Sequence, residues 1–213
     1  MIKYFLFDLD NTLYSPNEGP LKEVDRLMTE YIVQNYNYSF EDAQNLRKQY
    51  YQQYGTTMEG LIVNFKINPY DFLEFVHDVD DKYLPKEDKK LQLIMESIQC
   101  PIFILTNSYY KYAQKVVKAL GIEKYIEKIF DIQFMEFKNK IHRDSYIKVT
   151  KYIDKKAYFH EFVMFDDIWK YLKEAKELNI KTVLVNKQKN GTPHFHINNI
   201  HEITKIIDQL YEN

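Results

Sequence analysis

Cysteine occurs once in the 213 residues, at Cys100. A single thiol excludes an internal disulfide and suits a reducing compartment. Glycine (5) and proline (6) are sparse, and the chain has neither internal repeats nor low-complexity stretches. No apolar run approaches the roughly 18 residues of a membrane span. The first residues run directly into an apolar strand, without the basic-then-apolar pattern of a signal peptide. A cytoplasmic protein without a membrane partner is the expectation. Charge bias is also missing: 29 basic and 31 acidic residues give a net charge of -2. That balance carries no electrostatic footprint for a nucleic-acid backbone. What the chain does have is apolar material, 45% of its residues, with 19 tyrosines and 14 phenylalanines, enough for a sizeable core.

The most informative stretch is Phe5-Leu6-Phe7-Asp8-Leu9-Asp10-Asn11-Thr12-Leu13-Tyr14. Its apolar start suits a buried parallel strand. It ends in two carboxylates one residue apart, at the C-terminal edge where open α/β sheets place their ligands. Like charges so close are costly to bury unless a cation or a shared proton compensates. Asp8 and Asp10 therefore suggest a metal site.

A turn cluster from Ser15 to Pro20 follows, and then the period changes. Leu21, Val24, Leu27, Met28, Tyr31 and Ile32 recur at helical spacing to about Gln34. Ser39-Phe40-Glu41-Asp42 predicts a capped second helix running towards Tyr54. Tyr54-Gly55-Thr56-Thr57 reads as a break, Met58 to Phe65 as a short helix, and Asn68-Pro69 as the opening of another to about Val76. Beyond residue 85 helices and strands alternate. Strands are expected at 101–105, 128–133, 161–165 and 181–185, with helices at about 86–97, 113–120, 144–152, 168–178 and 199–211. This predicts an α/β protein. It has a Rossmann-like parallel-sheet core (residues 1–14 and 85–213) and a helical domain (residues 15–84) inserted after strand 1. An insert there can close over the strand ends and exclude water.

Three more pieces carry chemistry. Leu105-Thr106-Asn107-Ser108 ends the second strand with donors suited to an anion. Lys140 can meet a phosphate as a compact charge, with Lys138 as its competitor. Asp166-Asp167 closes the next apolar run. Two acidic pairs at strand ends with oxygen-only ligands favour Mg²⁺ over zinc or copper.

Asp8-Leu9-Asp10-Asn11-Thr12-Leu13, then Thr106-Asn107, Lys140 and Asp166-Asp167, resemble in order and spacing the four motifs of the haloacid dehalogenase-like (HAD) phosphohydrolases. Asp10 to Tyr14 and the segment Tyr50 to Leu61 further resemble the pyrimidine 5'-nucleotidase branch. The resemblance implies a Mg²⁺-dependent phosphomonoesterase acting on a small phosphorylated metabolite, a pyrimidine nucleoside 5'-monophosphate. The alternatives are a sugar-phosphate or phosphoglycolate-type phosphatase and a non-catalytic phosphometabolite binder. It implies that Asp8 is the nucleophile and Asp10 the acid-base, its backbone carbonyl also on the metal. Thr106, Asn107 and the Leu9 amide hold phosphate, and Lys140 neutralises charge. Asp8 and Asp167 ligate Mg²⁺, with Asp166 a ligand or supporting partner. Tyr14, Tyr54, Thr56 and Thr57 are candidate substrate contacts. Two departures stand out. Ile141 replaces the proline usual after the lysine, and Ile168 to Tyr171 replace the serine and asparagine usual after the second acidic pair.

Overall fold

The computed structural model describes residues 1–188 and 190–212. Its centre is β1 (Tyr4–Phe7), in which Phe5, Leu6 and Phe7 are wholly buried. A strand with apolar side chains on both faces belongs inside a parallel sheet. Around it lie β2 (Ile102–Leu105), β3 (Ile126–Phe130), β4 (Phe162–Asp166), β5 (Lys181–Val185) and β6 (Phe195–Ile197). They form one parallel sheet in the order β3-β2-β1-β4-β5-β6. The order reverses between β1 and β4, and that crevice is the ligand position of such sheets. Stacking of Phe7 on Phe165, with ring centroids 4.4 Å apart, pins these two strands just below it.

Four helices follow β1 before the next strand: α1 (Leu21–Tyr36), α2 (Phe40–Tyr54), α3 (Thr57–Phe65) and α4 (Pro69–Val76). Their starts are written in short polar side chains that take up free helix amides. Ser39 Oγ accepts from Asp42 N, Thr56 Oγ1 from Glu59 N and Asn68 Oδ1 from Tyr70 N. Asp42 does not complete a capping box; its carboxylate takes the Ser39 hydroxyl instead, at 2.6 Å. The helices hold together through a shared apolar seam, in which Tyr31 meets Phe72 edge-on at 5.0 Å. They form the helical cap inserted after β1.

The remaining helices are α5 (Lys89–Ser97), α6 (Tyr110–Leu120), α7 (Arg143–Ile153), α8 (Trp169–Glu177) and α9 (Ile207–Glu212). Three details differ from expectation. The third strand lies earlier, at Ile126–Phe130, and stops short of residue 133 because Asp131 turns the chain by accepting from Phe134 N and Tyr110 N. β6 is a three-residue edge strand with no run of apolar residues to announce it. The last expected helix is split: a 3₁₀ segment, Ile200–Lys205, precedes α9. Its buried Ile200 and Ile203 lie three apart, the spacing that a 3₁₀ turn aligns.

Candidate active site

The site is assembled at the carboxyl ends of β1, β2 and β4. Asn11 adopts the left-handed conformation (φ 63°), which asparagine tolerates. The chain after Asp10 therefore curls back, and Leu13 N donates to Leu9 O at 3.0 Å. This places Thr12 Oγ1 2.8 Å from Asp8 Oδ2, to which it donates. Asp8 N donates to Phe165 O at 2.8 Å, tying Asp8 to β4.

Lys140 lies 1% exposed, with Nζ donating to Asp8 Oδ1 at 2.5 Å and to Asp166 Oδ2 at 2.6 Å. Its backbone N donates to Asn107 Oδ1 at 3.1 Å. One residue thus joins the ends of three strands. Lys138, the competing lysine, instead pairs with Asp144 at the surface. Asp166 Oδ1 also accepts from Ile168 N at 2.8 Å, and Asn186 Nδ2 holds the Asp167 carbonyl at 3.1 Å. The Ile168 amide and the Asn186 side chain thereby support the acidic pair. Ile141 N, a donor that proline would lack, bonds Asn139 Oδ1 at 2.9 Å.

Asp8, Asp166 and Asp167 each offer a carboxylate oxygen within 4.8 Å of the others. Burial raises all three carboxyls, and repulsion adds to it, from Asp10 on Asp8, from Asp8 on Asp166 and from Asp166 and Asp8 on Asp167. Asp166 is pushed up to about 7 and Asp167 to about 9 despite the opposing Lys140 ammonium. Burial disfavours the Lys140 ammonium, but Asp166 and Asp8 outweigh it and hold its pKa above the ordinary lysine range. An oxygen-only cluster whose negative charge exceeds what one lysine balances fits a hard divalent cation such as Mg²⁺.

Asp10 faces the other way. Ser108 Oγ donates to its Oδ2 at 2.6 Å, and the hydroxyls of Tyr112 (2.7 Å) and Tyr14 both donate to Oδ1. Burial first, then the Asp10 charge, pushes both phenols well above the ordinary tyrosine range. They stay protonated and act as fixed donors to Asp10.

These groups open onto a cavity of about 620 Å³ between sheet and cap. Asp8, Asp10, Thr106, Asn107, Lys140 and Asp167 line its core side, and Thr29, Phe40, Arg47, Tyr51 and Thr56 its cap side. The cap's α2–α3 turn is seated on the Lys140 loop. Tyr171 OH donates to Gly55 O (2.9 Å) and Asn139 Nδ2 to Tyr54 O (2.8 Å). Glu59 receives both Asn139 Nδ2 and His142 Nε2, the latter at 2.6 Å. A Cβ on Gly55 (φ +86°) would fall 2.8 Å from Asn139 Oδ1 and 2.9 Å from Ile141 Cδ1, so only glycine admits this approach.

A sequence profile described as haloacid dehalogenase-like hydrolase matches residues 2–179. The chain belongs to the haloacid dehalogenase-like hydrolases. Phosphate metabolism protein 8 of Saccharomyces cerevisiae is 31% identical over 132 residues. The match takes in 56% of this chain and 40% of that protein, so the chain spans well under two thirds of the yeast relative. An HAD phosphatase from Thermococcus onnurineus superposes with TM-score 0.66 at 16% identity, over 97% of this chain and 98% of that one. The L-2-haloacid dehalogenase of Xanthobacter autotrophicus superposes with TM-score 0.62 at 12% identity, over 98% and 99%. The HAD fold is therefore common to phosphatases and dehalogenases here, and the chemistry must be argued from side chains.

On that HAD frame the motif residues Asp8, Asp10, Thr106, Asn107, Lys140, Asp166 and Asp167 lie together at the strand ends. Leu9 has its side chain wholly in the core and offers the site only backbone. The aromatic candidates are placed elsewhere. Tyr14 serves Asp10, and Tyr54 packs on Tyr50 with its hydroxyl accepting from Asn64; neither lines the cavity. Thr56 lines the cavity, but its hydroxyl caps α3, while Thr57 is buried beside it in the wall. Ser108, read with Thr106-Asn107 at the end of β2, donates to Asp10. Tyr112, Tyr51 and Arg47 were not anticipated. They are ordinary helix residues whose role comes only from packing.

Proposed function

We propose that the chain is a Mg²⁺-dependent phosphomonoesterase of the HAD type, acting on small phosphate esters and preferentially on pyrimidine nucleoside 5'-monophosphates. The observation that carries this reading is Asp8 between Thr12 and Lys140, with a second acid, Asp10, held on separate donors in the same cavity. Residues 15–84 act as the cap that chooses the leaving group; residues 1–14 and 85–213 form the core that handles phosphate.

In this mechanism an Asp8 oxygen attacks phosphorus as the ester P–O bond breaks, giving an aspartyl-phosphate. Asp10 gives its proton to the departing alkoxide oxygen, then takes one from water as that water attacks phosphorus. The P–O bond to Asp8 breaks, releasing inorganic phosphate and regenerating the carboxylate. Thr106 and Asn107 hold phosphate oxygens, and Lys140 offsets negative charge on Asp8. Asp8, Asp166 and Asp167, with the Asp10 carbonyl, would hold Mg²⁺, which supplies the positive charge that lets a carboxylate approach a phosphate dianion. A dehalogenase has no use for an acid-base at Asp10, and a mere binder has none for a nucleophile beside it. A cavity of about 620 Å³ leaves room beyond a phosphate for a leaving group of nucleoside size.

The test is phosphate release, with Mg²⁺, from p-nitrophenyl phosphate, nucleoside monophosphates, sugar phosphates and phosphoglycolate. Wild type should prefer UMP or CMP. Asp8→Asn should lose turnover by more than about 1,000-fold with unchanged circular dichroism. An active Asp8→Asn protein would remove Asp8 as nucleophile, and absence of release from every ester would overturn the enzyme reading.

A further inference from the structure

The two oxygens of Asp10 are held unequally. The Tyr14 and Tyr112 hydroxyls both donate to Oδ1, while Oδ2 receives the Ser108 hydroxyl at 2.6 Å. Each carboxylate oxygen offers about two lone-pair sites. On Oδ1 both are taken, and on Oδ2 one is left for a proton. An aspartate carboxylate otherwise turns within a broad two-fold torsion that exchanges its oxygens. Two donors on one oxygen, from the segment after β1 and from α6, oppose that turn.

The two tyrosines are themselves fixed. Tyr112 is 1% exposed, and its ring centroid lies 4.7 Å from that of His77 in the cap. Gly19 lies against the Tyr14 ring: a Cβ there would fall 1.8 Å from Tyr14 Cε2. Neither tyrosine lines the cavity, whereas Asp10 and Ser108 do. The two phenols therefore meet the chemistry only through Asp10.

We propose that Tyr112, with Tyr14, is a positioning residue that pins Oδ1 of Asp10 and so leaves Oδ2 as the oxygen that gives and takes the proton. This rests on the phosphatase reading above and names the atom that does its acid-base work. As the ester P–O bond breaks, its electron pair stays on the leaving oxygen, and the proton on Oδ2 passes to that oxygen. In the second half Oδ2 takes a proton from the water whose oxygen bonds to phosphorus as the bond to Asp8 breaks. A carboxylate free to turn would present either oxygen out of line and lose part of an acid-base contribution that is typically about 100- to 10,000-fold.

The experiment compares kcat/KM, with Mg²⁺, for an aryl and an alkyl ester in wild type, Tyr112→Phe and Tyr14→Phe. The aryl ester is p-nitrophenyl phosphate; the alkyl ester is UMP or ribose 5-phosphate, whichever wild type turns over faster. kcat/KM reports the transition state relative to free enzyme and ester. p-Nitrophenolate departs readily as an anion, whereas a sugar alkoxide needs the proton. Phenylalanine keeps each ring and removes only its hydroxyl, and thermal unfolding checks that each variant is folded. Each variant should lose about 10-fold more on the alkyl ester than on the aryl ester. Tyrosines that only support the fold would lower both esters alike, so losses that agree within threefold overturn the assignment. Should Tyr112→Phe not fold, Tyr14→Phe decides, because it acts on the same oxygen. A wild type that releases phosphate from none of these esters overturns the phosphatase reading and this assignment together. An active wild type with matched losses in the variants overturns this assignment alone.

Discussion

The Lys140 ammonium is held between Asp8 and Asp166 with almost no access to water. Its three donors and fixed position matter more than its charge alone, because removing one partner of such a cluster strands the others in a low-dielectric site. The Tyr171 ring beneath it, 5.0 Å from Nζ, closes the remaining side. A second buried titratable group, His77, stands apart from the carboxylate cluster, in the cap. Its Nδ1 bonds Leu73 O at 3.0 Å, and its ring lies against Tyr112 and Tyr109. Burial lowers its pKa to about 4 against an ordinary 6.5, with the Leu73 carbonyl opposing only weakly. The unfolded chain therefore takes up a proton before the folded one does. The stability His77 contributes is full above about pH 6.5 and falls as the pH drops towards 4, by about 3 kcal/mol. Unfolding free energies of wild type and His77→Gln from urea titrations should converge by that amount between pH 7 and pH 4. Parallel pH curves would show that His77 does not carry the acid sensitivity. Residue identity was legible where chemistry demands a type at a fixed place: Asp8, Asp10, Thr106, Asn107, Lys140, Asp166 and Asp167. Tyr112 and Arg47 were not, since nothing in a helical pattern distinguishes a tyrosine that fills space from one that donates to Asp10.

Elements were legible where end signals coincide with periodicity. Ser39, Thr56 and Asn68-Pro69 all open helices, and Gly55 and Gly121 stand in left-handed conformations at helix ends. Such signals are local, so sequence alone suffices to read them. β6 and the 3₁₀ segment before α9 were not legible, because an edge strand and a tightened turn are selected by what they pack on. The seating of the α2–α3 turn on the Lys140 loop is likewise a tertiary fact, made by Glu59, Asn139, His142 and Tyr171. Glu59→Ala leaves Asn139 and His142 without that acceptor. The variant should lose roughly 2 kcal/mol of stability to urea, and amide exchange should rise at residues 55–60 before the rest of the cap. Exchange at that turn matching wild type would show that Glu59 does not secure the cap to the core.

At the scale of the whole molecule, the cap and sheet enclose a carboxylate cluster whose charge Lys140 only partly balances. Added Mg²⁺ should therefore raise the apparent melting temperature. At a concentration one hundred times its Kd, a ligand specific to the folded state adds about 2.7 kcal/mol. For a chain of this size that corresponds to roughly 5–10 °C. Asp167→Asn should lose most of that shift, and an equal shift in the variant would place the cation elsewhere. No helix among the described residues is long and apolar enough to cross a membrane.

The strand at the centre of the sheet, β1, precedes the cap, and its two neighbours lie beyond the cap, at Ile102–Leu105 and Phe162–Asp166. On the ribosome Tyr4–Phe7 therefore emerges with both edges bare and stays so while the cap helices, whose contacts are local, are made. The stretch that carries Asp8 thus waits through the whole cap for either partner strand. It gains its second edge only when the strand bearing the other acidic pair arrives.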